Sequence, residues 1–416
     1  RPAVVFLHGA GTATHEGFPL QAEQLASAGV VTVVPDKRMD TYTTARRSYE
    51  GMAADYQRSV ELARTLPGID PGQVGLYAES EGAYIAPIMA AEDPATAFVV
   101  LVAAPIVTPR EQGAFATDSY LRNVRVPSAL YRVIPRALGA ELPLGGIDYV
   151  DFDTQPFHQR MTQPTLLVHG TGDAAMPIVE GAEQLIADLA VAGNDQWTIR
   201  FYEGANHGIK IGDALAPGFA DDLARWIQGL PATATAEPRI AGDQPFQRHG
   251  ADPVPAPHWF ASGNNIVAGF AVPLGLLVVG PVSYAVVAVV RRVRGQGGLP
   301  RTMSPEVARW LGASALAATG TWVVFAAYIR QVADYAFNYR SNPVFTYGAF
   351  ATEWALALGR ALLLAGAAQR AWDQRGAGLS GPAAITTGGT LAGTLGLLVV
   401  AAYWSGFPDL FGRWIS

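Results

Sequence analysis

The 416-residue chain carries 29 Lys and Arg against 35 Asp and Glu, a formal net charge of −6, and contains no cysteine. A mildly negative chain without a basic tail excludes nucleic acid as an expected partner. Absence of cysteine is compatible with an extracytoplasmic setting.

In chain order, Ala3 to Leu7 reads as a buried apolar strand that runs into His8-Gly9-Ala10-Gly11. This small-residue turn offers backbone N–H groups to an oxyanion, with Ala10 the expected donor. Val74 to Tyr77 reads as the end of a second strand, and a helix-like run continues from Tyr84 to Ala91. Ser80 stands between them on a sharp turn, where a nucleophilic serine would project from the sheet edge. Gly82 and Ala83 are small enough for strand and helix to pack closely, and the Glu81 N–H is placed to meet a developing negative charge. The sequence leaves open whether the Glu79 and Glu81 side chains tune the pocket or face solvent.

After a strand at Val99 to Ala103, the segment from Val107 to Met161 interrupts the strand rhythm and is rich in aromatic, Arg and Pro residues. It reads as a cap. Phe115, Tyr120 and Tyr131, with Leu130, Ile134 and Leu138, are candidates to line an apolar acyl-binding cleft, and Arg122, Arg125, Arg132 and Arg136 to meet anionic groups. For any one of them, a place in the cap core or on a solvated face is an equal alternative. Asp148, Asp151 and Asp153 read as a solvated acidic loop.

Thr165 to Val168 is a further strand ending in HGTGDAAMP, which puts Asp173 on the loop beyond it and Pro177 at a helix start. Thr198 to Tyr202 is a strand followed by EGANHG, which places His207 on a loop before a helix starting near Pro217. A serine hydroxyl is a weak nucleophile until a neutral His takes its proton, and a carboxylate must hold that His in the right tautomer. Ser80, His207 and Asp173 fit these roles in the order Ser, acid, His. His8 and His169 each follow a strand and precede Gly, and read as structural or oxyanion-loop residues. His15, His158, His249 and His258 lack such a setting with a partner, and no clustered His/Asp spacing suggests a metal. No metal or other cofactor is expected.

These segments resemble the α/β-hydrolase superfamily, in its dienelactone hydrolase, prolyl-oligopeptidase and acyl-CoA thioesterase-like branch. VVPDKRMD at Val33 to Asp40 is similar to that branch's DKRG segment, with Met39 in place of the glycine. Tyr49 to Leu66 is similar to its helix before the nucleophile strand, and PIVTPREQ at Pro105 to Gln112 to the stretch leading into its cap. Ala78 replaces the first glycine of the nucleophile motif. The resemblance covers roughly residues 1–230 and implies an α/β-hydrolase fold with a cap insertion at about 107–161, and esterase, thioesterase, peptidase or acyltransferase activity.

Composition changes near Leu230, where a Pro/Ala-rich linker is expected over 231–262; prolines at 231, 238, 245, 253, 255 and 257 argue against packed secondary structure there. His258-Trp259-Phe260 reads as an interfacial anchor. Four apolar stretches follow at about 265–290, 307–329, 344–368 and 384–404, each near the roughly twenty residues needed to cross a bilayer. They predict an all-α transmembrane domain of four helices over 263–416. Arg291, Arg292, Arg294 and Arg301, and then Arg370 and Arg375, put the loops 291–306 and 369–383 in the cytoplasm and the catalytic domain on the extracytoplasmic face. Such placement requires an export signal, so a preceding N-terminal portion is expected. Glu353 and Arg360 fall on one face of the third span and read as a structural pair in preference to a proton or transport path.

The sequence thus predicts a multi-pass membrane enzyme of the cell envelope acting on acyl-ester or lipid substrates, with the bilayer and membrane-protein subunits as its possible partners. A docking or regulatory module in a membrane complex is the alternative from another class, favoured by having more spans than anchoring needs. Acyltransferase and serine peptidase are the enzymatic alternatives.

Overall fold

The computed structural model describes residues 1–40, 42, 47–131, 133–138, 151–254, 262–296, 304–338, 340–374 and 381–404. The chain forms two compact units, one of Arg1–Ser119 with Gly145–Val254, the other of Tyr120–Leu144 with Pro255–Ser416. Arg132, Asp148, His258, Trp259, Phe260, Arg301, Arg375 and the Leu138 side chain lie outside the described residues.

The first unit is built on β1 (Ala3–Leu7), β2 (Val31–Val33), β3 (Val74–Glu79), β4 (Val99–Val102), β5 (Thr165–Gly170) and β6 (Trp197–Tyr202). β7 (Lys210–Ile211) and β8 (Ala214–Leu215) make a small hairpin, and β9 (Ile240–Gly242) joins the main sheet. That sheet has seven strands in the order 2-1-3-4-5-6-9, all parallel. Parallel strands need crossovers, here α1 (Pro19–Ser27), α2 (Tyr49–Thr65), α3 (Gly82–Glu92) and α4 (Pro109–Val124), whose end falls in the second unit together with α5 (Val133–Leu138), then α6 (Gln155–His158), α7 (Ile178–Val191) and α8 (Phe219–Gln228). The helices cover both faces, which is why β1, β4 and most of β3 are continuous apolar runs rather than alternating ones. Ala3, Val5 and Leu7 point into the core shared with α2, α3 and α7, whereas Val4 and Phe6 point into the core shared with α1 and α8. Burying each such Leu or Phe contributes roughly 1.5–3 kcal/mol.

Every main-sheet strand runs the same way, so the turns after β1, β3, β5 and β6 emerge at one edge. Backbone contacts there are unusually close. A Cβ on Gly82, the first residue of α3, would lie 2.6 Å from the Leu7 carbonyl oxygen at the end of β1. Only glycine lets that helix start against the neighbouring strand.

The 231–262 linker expectation requires correction over its first part. Ile240–Gly242 pairs with β6, the Gln247 side-chain oxygen accepts from the Val179 and Glu180 N–H groups, and the His249 ring stacks on Phe115 at 4.5 Å. Pro238 and Pro245 flank this strand rather than interrupt it, and β9 is the last strand of the sheet, where proline nearby is tolerated.

The second unit contains α9 (Gly263–Val293), α10 (Pro305–Phe337), α11 (Pro343–Asp373) and α12 (Pro382–Tyr403). Ser262, Ser304 and Asn342 cap the first three, and α10, α11 and α12 each open on proline, as helix starts favour. All four are long and apolar enough to cross a membrane. Small residues bring α9 and α12 together: a Cβ on Gly393 would lie 2.6 Å from the Pro273 oxygen, and one on Gly280 2.5 Å from the Thr386 Cα. Many large apolar side chains point outward instead, among them Val272, Val282, Val286, Leu316, Val323 and Leu362. Within this unit Arg360 donates to Glu353 at 3.0 Å with both side chains buried.

The single-cap reading of residues 107–161 is also corrected, because its middle belongs to the second unit. Val124, Val126, Ala129 and Leu130 share a buried cluster with Tyr328, Val332, Ala336 and Phe350. Ser341 and Thr346 hydroxyls donate to the Val124 and Arg125 carbonyls at 3.3 and 3.1 Å, and the Arg136 guanidinium donates to the Tyr403 carbonyl. Arg136 also lies over the Tyr403 ring and Arg122 over Tyr131, so these arginines engage aromatic faces of their own unit.

Replacing Gly82 by Ala should lower stability by about 1–3 kcal/mol, because the new methyl meets backbone that has no room to move. Gly348→Ala, inside α11 where a Cβ meets nothing within 4 Å, should hold stability or raise it by up to about 1 kcal/mol. Denaturant unfolding of the two variants checks the contrast; equal midpoints would contradict the packing argument.

Candidate active site

Ser80 follows β3 with φ of 56°, the left-handed region that a residue with a Cβ seldom adopts. Such a backbone costs about 1–3 kcal/mol and persists only where neighbours enforce it. Here the Ser80 N–H donates to the Val102 carbonyl at 2.9 Å and its own carbonyl accepts from the Ala83 N–H at 2.9 Å. The turn after β1 presses from the other side, since a Cβ on Gly9 would lie 3.1 Å from the Ser80 Cβ. Sequence, strain and packing therefore agree on a tight strand-to-helix turn that lifts the hydroxyl off the sheet.

Asp173 and His207 meet at the same edge. His207 Nδ1 lies 2.9 Å from Asp173 Oδ2, and Asp173 Oδ1 accepts the Ala175 N–H at 2.8 Å. The Asp173 side chain is wholly buried, whereas that of His207 is 34 % exposed. An ionised carboxylate only accepts, so the ring proton sits on Nδ1 and Nε2 keeps its lone pair. Burial pulls the His207 pKa down, but the charge and hydrogen bond of Asp173, with a smaller contribution from Glu79, outweigh it and leave it raised. Ser80 and His207 make no hydrogen bond to each other among the described residues. Such bonds are often long before substrate binds.

Other histidines divide as their settings indicate. His169 is fully buried, stacks on Phe201, and burial drives its pKa down to about 4, which keeps it neutral and unfit as a base. His8 bonds through Nδ1 to Thr12 Oγ1 at 3.0 Å and through Nε2 to the Pro35 carbonyl at 2.8 Å, so its ring braces the loop after β1. His158 lies buried beside Asp188, away from the turns that carry Ser80, Asp173 and His207. His15 pairs with exposed Asp36.

Two points that sequence left open are settled by burial. Glu79 is half-buried, accepts from Tyr77 Oη at 3.3 Å, and has its pKa raised chiefly by burial, against the opposing charge of His207. The Glu81 side chain is only 4 % exposed and, among the described residues, accepts from Lys37 Nζ at 2.7 Å, Tyr42 Oη at 2.8 Å and Arg47 at 2.7 Å. Lys37 is itself buried and also donates to the Gly9 carbonyl at 3.2 Å. Burial lowers its pKa, and the Glu81 charge offsets part of that. Sequence reasoning missed Lys37, Tyr42 and Arg47 as neighbours of the nucleophile turn; the one available signal was Lys37 within VVPDKRMD.

The Ala10 and Glu81 N–H groups donate to no protein acceptor among the described residues. Of the cleft candidates, Phe115 is buried against His249 in the first unit, while Tyr120 and Tyr131 pack around the Tyr328 cluster of the second. The three do not form one cluster. A groove of about 730 Å³ opens beside β6 and α8, lined by Arg200, Phe201, Asp222 and Trp226 among others, and no triad candidate lines it.

Residues 55–212 match the family model described as BAAT / acyl-CoA thioester hydrolase C terminal. No curated protein matches the sequence at a significant level. Among solved structures, the chain is similar to a Pyrococcus furiosus esterase at 16% identity over 55% of this chain and 81% of that one, TM-score 0.40. It is also similar to a Paleococcus ferrophilus monoacylglycerol lipase at 19% identity over 54% and 93%, TM-score 0.37. A third is an acetyl ester-xyloside bifunctional hydrolase from Caldicellulosiruptor lactoaceticus, at 18% identity over 55% and 82%, TM-score 0.38. The parallel strand order, the turn at Ser80 and the family match give the first unit the α/β-hydrolase fold.

The raised His207 pKa sets the sign of the pH response. An imidazole acts as a base in its neutral form, so with His207 in that role the reactivity of Ser80 toward a phosphonate probe should fall with acidification through a midpoint above the ordinary histidine value of 6.5. In Asp173→Asn the midpoint should move down and the rate should drop by roughly 10³–10⁴. Rate–pH profiles of both proteins check this, and an unshifted midpoint in the variant would count against the pairing.

Proposed function

We propose that this chain, an enzyme of the serine-hydrolase class, is membrane-anchored and cleaves acyl esters or thioesters, with lipid-linked esters on the extracytoplasmic face as its substrates. The observation that carries the reading is the His207–Asp173 bond at the sheet edge where the strained Ser80 turn also emerges.

In this mechanism His207 Nε2 takes the Ser80 proton as Oγ attacks the acyl carbonyl. The carbonyl electrons move onto oxygen, where the Ala10 and Glu81 N–H groups stabilise the charge. Collapse expels the alcohol or thiol, which leaves with the proton from His207. Water, deprotonated by the same ring, then attacks the acyl-enzyme and releases the acid and free Ser80. An alcohol taking the place of water would make the reaction a transfer. Asp173 supports the imidazolium through each half.

Anchoring is supported by four helices whose large apolar side chains face outward, an arrangement that costs heavily in water and is favourable in lipid. Sidedness follows from the arginines at the end of α9 and α11. The preference for lipid-linked esters follows from that location. Docking within a membrane complex is a second reading, favoured by the buried Glu353–Arg360 pair, which simple anchoring does not require.

A fluorophosphonate probe should label the parent protein and fail to label Ser80→Ala or His207→Ala, with ester hydrolysis down at least about 10³-fold in both. No labelling of folded parent would favour the docking reading. For sidedness, a cysteine at exposed Asp252 should react with a membrane-impermeant thiol reagent in intact cells, and one at Gln296 should not; the reverse pattern inverts the topology.

A further inference from the structure

The hydrolase reading leaves one demand unmet by the catalytic residues themselves. Its two oxyanion donors sit on separate segments, Ala10 after β1 and Glu81 after Ser80, so the chain alone does not fix the distance between them. We propose that Lys37 is a positioning residue that locks the oxyanion hole, its buried ammonium bridging the Gly9–Ala10 peptide to the Glu81 carboxylate.

The geometry of the bridge is specific. Lys37 Nζ donates to the Gly9 carbonyl at 3.2 Å and to Glu81 Oε2 at 2.7 Å, with the lysine side chain 1 % exposed. The Gly9 carbonyl and the Ala10 N–H are opposite ends of one planar trans peptide. A cation on the oxygen therefore fixes where the N–H points, on the far side, and polarises it. On the other arm, holding the Glu81 side chain holds the residue whose own N–H is the second donor.

Charge balance alone does not account for the lysine. Glu81 already receives Arg47 at 2.7 Å and Tyr42 Oη at 2.8 Å. Burying a further ammonium is unfavourable unless its bonds are used. Lys37 adds a cation–π contact over the Tyr42 ring at 3.9 Å and the bond to the Gly9 carbonyl, and only the latter reaches the oxyanion loop. Gly9 in turn sits against Ser80, so its backbone position is sensed at the nucleophile.

The inference rests on Ser80 being acylated, and the test separates the two. Steady-state hydrolysis of a p-nitrophenyl acyl ester, active-site titration and inhibition by a trifluoromethyl ketone, which adds to serine as a tetrahedral oxyanion, are measured on parent and Lys37→Met. The variant should lose roughly tenfold to a thousandfold in kcat per titrated site. KM should stay within about twofold. Ketone affinity should fall by the same factor as kcat, and the acid limb set by His207 should not move. Should Lys37→Met fail to fold, Lys37→Gln, which retains a neutral donor of shorter reach, is read by the same criteria. Parent-like kcat per site and parent-like ketone affinity in a folded variant overturn the role of Lys37 and leave the hydrolase reading standing. A folded parent that neither turns over the ester nor takes the probe overturns both.

Discussion

The site depends on the close approach of the end of β1 to the turn that joins β3 to α3. Gly82 lets the helix start next to the Leu7 carbonyl, and Gly9 lies against Ser80 from the same strand end. Together they hold Ser80 in a conformation it would not choose. That conformation lifts the hydroxyl off the sheet. Parallel strands then supply the rest, because β5 and β6 must release Asp173 and His207 at the edge where β1 and β3 end.

Much of this was legible in the sequence. Strands β1, β3, β4 and β5 are covered on both faces and therefore read as unbroken apolar runs, and glycine at 82 marks a contact that no other residue tolerates. Asp173 announced itself by standing just past such a run, and His207 by standing on the small-residue loop after the mixed strand β6. What stayed hidden was the destiny of charged side chains. Glu79 and Glu81 are the same residue type on either side of Ser80, yet one leans toward His207 and the other is buried among Lys37, Tyr42 and Arg47. Burial of a charge is decided by partners distant in sequence, and single-sequence patterns do not carry that information.

The proline-rich stretch after Leu230 shows another limit. Proline forbids a donor at its own position and says little about the residues between two prolines, so Ile240–Gly242 can still add to the sheet. Helix starts lay a few residues ahead of the apolar runs at 265, 307 and 344, where Ser262, Ser304 and Asn342 cap the helices. The four apolar helices were plain from length alone, and their small residues prefigured the backbone-to-backbone approach of α9 and α12.

The docking of residues 124–130 within the helical unit carries a consequence for how the protein can be dissected. A stop after Val254 would leave Val124, Val126, Ala129 and Leu130 without the aromatic surface of Tyr328 and Phe350 that shields them. Shortened in that way, the enzyme portion would present a greasy strip to water and would be prone to self-association. Conversely, the helices expressed by themselves would lack a piece of their own interior. A cut between residues 254 and 255 therefore severs the second unit from a segment of its own, 120–144, which lies on the other side of that cut in the chain.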